Sequence, residues 1–465
     1  MTDLLVRGGT VVTAAGSRQA DVAVESGRIV RVDPDLGGLV ESARSVVDAA
    51  GLLVLPGVID VHTHTRVASD LEPDRFFQDS VAAAHGGTTT FLAFNNPGTG
   101  SSAAAARSLL AGLREWRAAT AADSAVDIAL SLVISAGQDD PIAELPAAIG
   151  AGVPTFKAFM VYDFGVDDAT LSRALTAASA SGGMLQVHCE NRAMLENLTA
   201  AHLAAGEVAP RFHASSRPPS VEAEATARAI AIARAAGAPL YVVHLSCAEA
   251  LAHVRAARAD GLPVFAETCP HYLTLTEDRY DGPAEEAARY VISPPLRGRG
   301  QPEALWQGLI EGSLALVGTD HVPDRIAVEK QSWRESFDRI SNGAPGIETL
   351  LGLVYSEGVA RGRIGLERMV DLLATTPARL FGLRAKGAIE VGRDADLVLF
   401  DPTARRTIRA AELHHTSDYT PYEGFEVSGA VRSTIVRGAF VVRDGVFVGR
   451  RGHGRFVERE LEALV

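Results

Sequence analysis

The sequence predicts an α/β protein: a (β/α)8 TIM barrel with a small β-sandwich domain built from both chain termini. Apolar runs with the character of strands alternate with Ala-rich amphipathic segments, a pattern typical of parallel α/β folds. Eight such strands follow one another, near residues 53–61, 89–94, 127–134, 154–160, 184–188, 239–244, 263–267 and 314–319. Eight strand–helix units over roughly 330 residues match the size of a barrel with inserted loops.

The segments between these strands carry apolar residues at helical spacing. We therefore predict helices that cover the outside of the barrel, such as 102–120, 167–181, 221–236 and 247–260.

Both ends of the chain instead show short strands separated by Gly-rich turns, without helices between them. Neither group of strands is large enough to bury a core alone, so we expect the two ends to pair into one domain. The predicted boundaries are 1–55 and 384–465 for the sandwich and 56–383 for the barrel.

Composition restricts the class of partner. The 44 basic and 57 acidic residues give a net charge of −13, and no block is rich in Lys or Arg. This balance argues against nucleic acid or an anionic membrane as the main partner. The N-terminal residues lack a signal-peptide pattern, and no apolar run is long enough to span a membrane, so we predict a cytoplasmic protein. The three cysteines, which form no CxxC motif, are predicted to be reduced packing residues.

The first candidate site residues are His62 and His64, which end an apolar run as a His-x-His pair. Side chains two apart on a strand project from the same face, so both imidazoles can reach one metal ion. An isolated His-x-His pair is weak evidence for a metal site, because a strand can carry two histidines as ordinary polar residues. Further polar residues follow the later strands, however, and barrel active sites lie at the carboxyl ends of strands. These residues are Lys157, His188, His244 and Asp320.

Lys157 differs from the others because an ammonium cannot bind a cation. It lies on a strand among Phe156, Phe159 and Met160, where a charged amine is costly. Burial lowers a lysine pKa, and the neutral amine can add carbon dioxide to give an anionic carbamate able to bridge two metals. The alternative is a snorkelling or salt-bridged lysine.

These residues resemble the amidohydrolase superfamily, and within it the cyclic amidases: hydantoinases with dihydropyrimidinases, allantoinases and dihydroorotases. The resemblance covers nearly the whole chain. It is carried by PGVIDVHTH (56–64), GGTTT (86–90), FKAFM (156–160), HCEN (188–191), ETCPHYL (267–273), SPPLR (293–297), TDH (319–321) and GRDADL (392–397).

The resemblance implies that His62, His64, Lys157 and Asp320 bind one divalent metal ion, and that carboxylated Lys157, His188 and His244 bind a second. Zinc is the usual metal, and Mn²⁺, Fe²⁺ or Co²⁺ suit the same ligands. The implied reaction is hydrolysis of a cyclic amide by a hydroxide that bridges the two metals. The small-molecule substrate is a hydantoin or dihydropyrimidine, and the product is an N-carbamoyl amino acid.

The same resemblance assigns further roles. Asp320 would move the proton from the water to the departing ring nitrogen. Tyr162 would donate a hydrogen bond to the developing oxyanion. The alternative is an aromatic side chain at the rim of the site with no chemical role. Ser293 and Asn342 match positions that hold the cyclic imide mainly through backbone groups; an ordinary turn explains Asn342 as well.

Two residues are compatible with other cyclic substrates. Arg66 and Asn96 fall where dihydroorotases bind the substrate carboxylate, although Arg66 lacks the acidic-Pro-Gly run that follows it in those enzymes. A loop arginine paired with a neighbouring acid explains Arg66 equally. Allantoinase also stays open, because the tail around 419–422 resembles that group. A catalytically silent scaffold of the same fold is the alternative of a different class. The family further implies a homotetramer or homodimer.

Overall fold

The computed structural model describes residues 2–95 and 106–462. The N-terminal part forms strands that belong to one sheet, with hairpins between the first three. They are β1 (Leu4–Thr13), β2 (Gly16–Glu25), β3 (Arg28–Asp33), β4 (Val46–Asp48) and β5 (Leu53–Pro56).

The central part forms the predicted parallel barrel. Its strands are β6 (Val58–Thr63), β7 (Thr88–Phe94), β8 (Asp127–Val133), β9 (Thr155–Phe159), β10 (Met184–His188), β11 (Leu240–Val242), β12 (Val264–Thr268) and β13 (Leu316–Val317). They pair in sequence order as one eight-stranded sheet. The sheet closes where Thr63 bridges His321 and the N–H of His64 donates to the His321 carbonyl at 2.7 Å.

Helices cover the outside of this barrel, and most of them pack buried side chains against it. They are α1 (Arg75–His85), α2 (Leu109–Thr120), α3 (Pro141–Gly150), α4 (Asp168–Ala180), α5 (Arg192–Ala204), α6 (Phe212–Ser216), α7 (Pro219–Ala236), α8 (Ala248–Ala259), α9 (Pro270–Thr274), α10 (Ala284–Ala288), α11 (Gln301–Glu311), α12 (Leu350–Val354), α13 (Leu366–Val370) and α14 (Thr376–Leu380). Two π-helical segments, Tyr355–Val359 and Asp371–Thr375, continue α12 and α13. Short 3₁₀ turns lie at Gly37–Leu39, Glu277–Asp281, Gln331–Arg334, Phe337–Arg339 and Ala410–Glu412. Within the described residues, no helix combines the length and the apolar character that crossing a membrane requires.

The C-terminal strands return to the N-terminal sheet. They are β14 (Leu397–Thr407), β15 (Glu426–Val436), β16 (Ala439–Arg443) and β17 (Val446–Phe447). Strand β14 pairs with β5, so both chain ends form one nine-stranded sheet with its own apolar core. The predicted fold class is therefore confirmed, while the exact domain limits stay a prediction.

Lys386 ties this sheet to the barrel. Its ammonium is buried and donates to Asp127 at the start of β8 (2.8 Å) and to Asp396 just before β14 (2.6 Å). Burial alone would lower the pKa of Lys386, but these two carboxylates raise it above its ordinary value. The charged form is thus held between the two sheets.

The structure corrects one predicted strand. The apolar run 53–61 is two strands, β5 in the terminal sheet and β6 in the barrel, which meet at Gly57. A Cβ at Gly57 would lie 2.0 Å from the Thr89 hydroxyl oxygen, so only glycine fits this step. Hydrophobicity cannot show the break, because both strands are buried over their whole length.

The ends of the other elements differ less from the prediction. Helix α2 begins at Leu109, since the Ser108 side chain accepts a hydrogen bond from the N–H of Ala111 as an N-cap. Residues 102–105 of its predicted span lie outside the described residues. The three cysteines are buried and unpaired, as predicted.

Candidate metal centre and its cavity

The predicted ligands converge at the carboxyl ends of the barrel strands. They come from five strands: His62 from β6 and His64 from directly beyond it, Lys157 from β9, His188 from β10, His244 from beyond β11 and Asp320 from beyond β13. Parallel strands present these ends at one mouth of a barrel, so side chains more than 250 residues apart in sequence become neighbours.

Asp320 lies between the first two histidines. Its Oδ1 is 3.0 Å from His62 Nε2 and 3.2 Å from His64 Nε2. Candidate ligand atoms of His62, His244 and Asp320 all lie within 4.8 Å of one another. The His188 and His244 ring centroids are 4.5 Å apart, which extends the cluster to the strand that carries His188.

Lys157 lies close to the cluster, since its charge acts on the pKa of all four histidines. Its side chain is fully buried, with Nζ 4.8 Å from the Phe94 ring centroid and 5.0 Å from that of Phe159. Within the described residues, Nζ has no hydrogen-bond partner. Burial lowers the pKa of Lys157 to about 8, although Asp320 and Glu267 oppose the shift. The neutral amine that a carbamate requires is therefore accessible near neutral pH.

This donor set fits a divalent metal. Imidazole nitrogens and carboxylate oxygens are the ligands of zinc and related ions. Burial lowers the pKa of His188 and of His244, so both rings are neutral and keep a lone pair. His244 Nδ1 and Lys157 Nζ are buried polar atoms without partners in the described part of the chain. Such atoms are costly to bury unless something binds them.

Two glutamates orient the histidines, and sequence reasoning assigned neither of them a role. Glu267 on β12 contacts His62 Nδ1 and accepts from the Tyr241 hydroxyl at 2.8 Å. A carboxylate only accepts, so His62 Nδ1 carries the proton and Nε2 faces the cluster. Glu190 acts similarly on His188, since its Oε2 is 2.7 Å from His188 Nε2 and 2.7 Å from Arg217 Nη1. In the sequence, both glutamates lie at or near a strand end and within segments that carry the family resemblance, HCEN and ETCPHYL, but neither signal indicates which histidine they contact.

Asp60 aligns β6 with the segment that carries Asp320. It accepts from the N–H of Thr319 at 3.1 Å, from the Thr319 hydroxyl, and from the N–H of His62 at 3.2 Å. Burial raises the pKa of Asp60 to about 6, against these three hydrogen bonds. This internal carboxylate thus fixes the backbone on both sides of the ligand pair.

Three residues of the cluster and its wall have left-handed backbone. The φ angles are 71° at Tyr162, 38° at His244 and 50° at Asp320. A positive φ is uncommon for a residue with a Cβ, and it concentrates at functional sites, where the surrounding structure imposes it. Each of the three lies two or three residues beyond the end of a barrel strand, and each lines the cavity at the barrel mouth.

A cavity of about 1090 Å³ opens from the cluster. Tyr162 lines it, and its hydroxyl faces Ser293 and Asn342. Burial raises the pKa of Tyr162, which Arg217, Ser293 and Asn342 partly oppose, so the hydroxyl keeps its proton at neutral pH. The Tyr162 hydroxyl is therefore a hydrogen-bond donor directed at the cavity.

Arg66 and Asn96 are the two residues that matched dihydroorotases in the sequence, and the structure describes only the first of them. Arg66 lines the cavity, but its guanidinium pairs with Asp324 and, at 2.7 Å, with Glu329. The alternative of a loop arginine paired with acids describes this geometry. Asn96 lies outside the described residues, so its predicted contact stays a prediction.

Comparison with known proteins identifies the family. Residues 53–441 match the amidohydrolase family. The D-hydantoinase of Geobacillus stearothermophilus is 41% identical over 461 residues, which cover 98% of this chain and 96% of that protein. The crystal structure of dihydropyrimidinase from Brevibacillus agri NCHU1002 superposes with a TM-score of 0.93 at 41% identity over 100% of both chains. The L-hydantoinase (dihydropyrimidinase) from Arthrobacter aurescens gives 0.90 at 31% identity, over 99% of this chain and 100% of that one. The chain therefore belongs to the amidohydrolase family and, within it, to the hydantoinases and dihydropyrimidinases.

Proposed function

We propose that this chain hydrolyses the ring amide of hydantoins or dihydropyrimidines to N-carbamoyl amino acids, in a metal-dependent reaction. The observation that carries the proposal is the convergence of histidine, lysine and aspartate ligands beside a cavity that also presents the Tyr162 hydroxyl. Relatives at about 40% identity over the full length are named D-hydantoinase and dihydropyrimidinase, which supports the same ring chemistry.

The ligands divide into two groups around Lys157. We assign His62, His64 and Asp320 to one cation and His188 and His244 to a second, with Lys157, carboxylated by CO₂, between them. Zn²⁺ fits this set best, and Mn²⁺, Fe²⁺ or Co²⁺ are compatible. The bound cations supply Lewis acidity, which polarises a carbonyl and lowers the pKa of water.

The protein groups then move the protons. Burial raises the pKa of Asp320, but the charge and hydrogen bonds of His62 and His64 outweigh it, so the carboxylate is ionised at neutral pH. Asp320 accepts the proton of the attacking water and returns it to the ring nitrogen. The new C–O bond forms as the ring C–N bond breaks, and the nitrogen leaves as a neutral amide or urea group.

The cavity wall binds and orients the ring. Tyr162 donates a hydrogen bond to the carbonyl oxygen as negative charge develops on it. Ser293 and Asn342 lie opposite and offer backbone groups to the imide. Arg66, held by Asp324 and Glu329, shapes the wall rather than binding a substrate carboxylate.

A substrate panel with metal-loaded protein tests the proposal. It compares hydantoin, both enantiomers of 5-substituted hydantoins, dihydrouracil, allantoin and dihydroorotate. We expect turnover of hydantoins or dihydrouracil to exceed that of the last two. Preferential turnover of dihydroorotate, lost in Arg66→Ala, would overturn this ranking. A folded preparation that takes up no metal when zinc and bicarbonate are supplied would favour the scaffold.

The remaining expectations accompany this proposal. A homotetramer or homodimer in the cytoplasm, with no nucleic-acid or membrane partner, stays a prediction. Light scattering of the purified protein measures the assembly directly.

A further inference from the structure

Two loops form the wall of the cavity opposite Tyr162; we call them the recognition loops, residues 291–294 and 341–343. Ser293 and Asn342 lie in them and line the cavity. Within the described residues, the backbone N–H and C=O of Ser293 and of Asn342 make no hydrogen bond to the protein. Backbone polar groups are normally paired, so these are the groups left for a ligand.

The carbonyls next to them are, by contrast, held by side chains from outside the loops. His213 Nε2 donates to the Ile292 carbonyl at 2.8 Å. The Tyr272 hydroxyl donates to the Pro294 carbonyl at 2.6 Å, and the Tyr419 hydroxyl to the Gly343 carbonyl at 3.0 Å. Each of these three side chains holds one loop, and in the described part of the chain none of them hydrogen-bonds to both loops.

Lys330 contacts both. Its Nζ donates to the Val291 carbonyl at 2.8 Å and to the Ser341 carbonyl at 2.7 Å. Val291 lies two residues before Ser293, and Ser341 directly precedes Asn342. A single ammonium thus joins the backbone of the two loops and sets the distance between their free groups.

The environment of Lys330 is energetically unfavourable for a charged amine. The side chain is fully buried, and within the described residues it forms no ion pair. Burial lowers the pKa of Lys330 to about 8, with Asp324 opposing the shift. An apolar side chain would fill the same space without the desolvation cost. The two carbonyl contacts are therefore what the amine supplies to the structure.

We propose that Lys330 is a positioning residue for ring hydrolysis, because it holds the two recognition loops at the separation at which the backbone of Ser293 and Asn342 meets the substrate. This inference rests on the proposed function. Lys330 acts through the loops and does not line the cavity.

The test replaces Lys330 with Met, which keeps the length of the side chain but removes both donors. Two buried carbonyls then lose their partner, and the loops separate or tilt. Backbone contacts to the ring act in the bound state and the transition state alike, so their loss raises KM more than it lowers kcat. We expect KM for hydantoin to rise about tenfold or more, with bound metal unchanged. Lys330→Gln keeps an NH₂ group that can donate to both carbonyls, and it should recover part of the loss.

Lys386→Met is the matched control, since it also removes a buried lysine but lies away from the cavity between β8 and β14. It should lower stability and leave KM unchanged. Unchanged KM in Lys330→Met, or an equal rise in both variants, would overturn the inference. If Lys330→Met does not fold, Lys330→Gln alone must show the rise in KM. Absence of turnover in the wild type would count against the proposed function; calorimetric binding of hydantoin to the same variants would then decide the role of Lys330.

Discussion

Replacing Glu267 with Gln tests whether this carboxylate directs the His62 ring at a metal. Glu267 Oε1 contacts His62 Nδ1 and the N–H of His244 (3.2 Å), while Oε2 accepts from the Tyr241 hydroxyl (2.8 Å). The amide can keep its oxygen on the first two donors and turn its NH₂ toward Tyr241, whose hydroxyl can accept. The hydrogen bonds therefore survive, and the negative charge behind His62 is lost.

The expected magnitudes follow from that exchange. Replacing a charged hydrogen bond by a neutral one costs about 1 kcal/mol of folding free energy. Removing the carboxylate behind a metal-binding histidine lowers metal affinity about 10- to 100-fold, or roughly 1.4–2.7 kcal/mol. Metal content after dialysis against a graded chelator measures the affinity, and urea unfolding measures the stability.

Glu348→Gln provides the control. Glu348 is also buried and pairs with a histidine, His414 Nδ1 at 2.9 Å, but it does not line the cavity. We expect a comparable loss of stability in Glu348→Gln with wild-type metal affinity. If Glu267→Gln bound metal within about threefold of wild type, the role assigned to Glu267 would be wrong.

Three further predictions concern the ligands, the oxyanion donor and acid stability. Lys157→Ala should lose bound metal and activity together, as measured by elemental analysis and hydantoin turnover; retention of both would refute the carbamate proposal. Tyr162→Phe should keep its metal but lower kcat by roughly 10²- to 10³-fold, because it removes one oxyanion donor; a kcat near that of wild type would exclude that role. Burial lowers the pKa of His213 to about 3 and that of His271 to about 4. Below pH 6.5 these two histidines therefore bind protons in the unfolded chain but not in the native state. The free energy of unfolding is highest above pH 6.5, and it falls by about 1.4 kcal/mol per pH unit for each histidine as the pH drops toward 4. Urea unfolding at pH 7.5 and 5.5 tests this, and His213→Gln should flatten the dependence.

Much of the barrel could be predicted because its signal is local. Fully apolar runs alternate with Ala-rich segments, and each observed barrel strand lies within or close to a predicted one. The break at Gly57 could not be predicted, since β5 and β6 are equally buried and only the proximity of Thr89 explains the glycine.

The candidate site also has a part that could be predicted from the sequence and a part that could not. Its ligands could be proposed from their position at strand ends, because the topology of a parallel barrel brings those ends together. The partners that orient them could not, because they depend on side-chain direction. Glu267 reaches His62 across 205 residues, and Lys330 reaches two carbonyls from a loop that no motif marks. The acids that hold Arg66 are even more distant in sequence, at 258 and 263 residues.

The step at Gly57 has a consequence for any attempt to dissect the molecule. One residue separates the last N-terminal strand of the nine-stranded sheet from the strand that presents His62, and the Gly57 amide donates to the Asp396 carbonyl at 2.9 Å. A shortened variant that lacks the outer sheet would therefore leave the first ligand strand without its anchor. Circular permutants and fusions should keep residues 53–63 intact, and new termini belong on the helical side of the barrel.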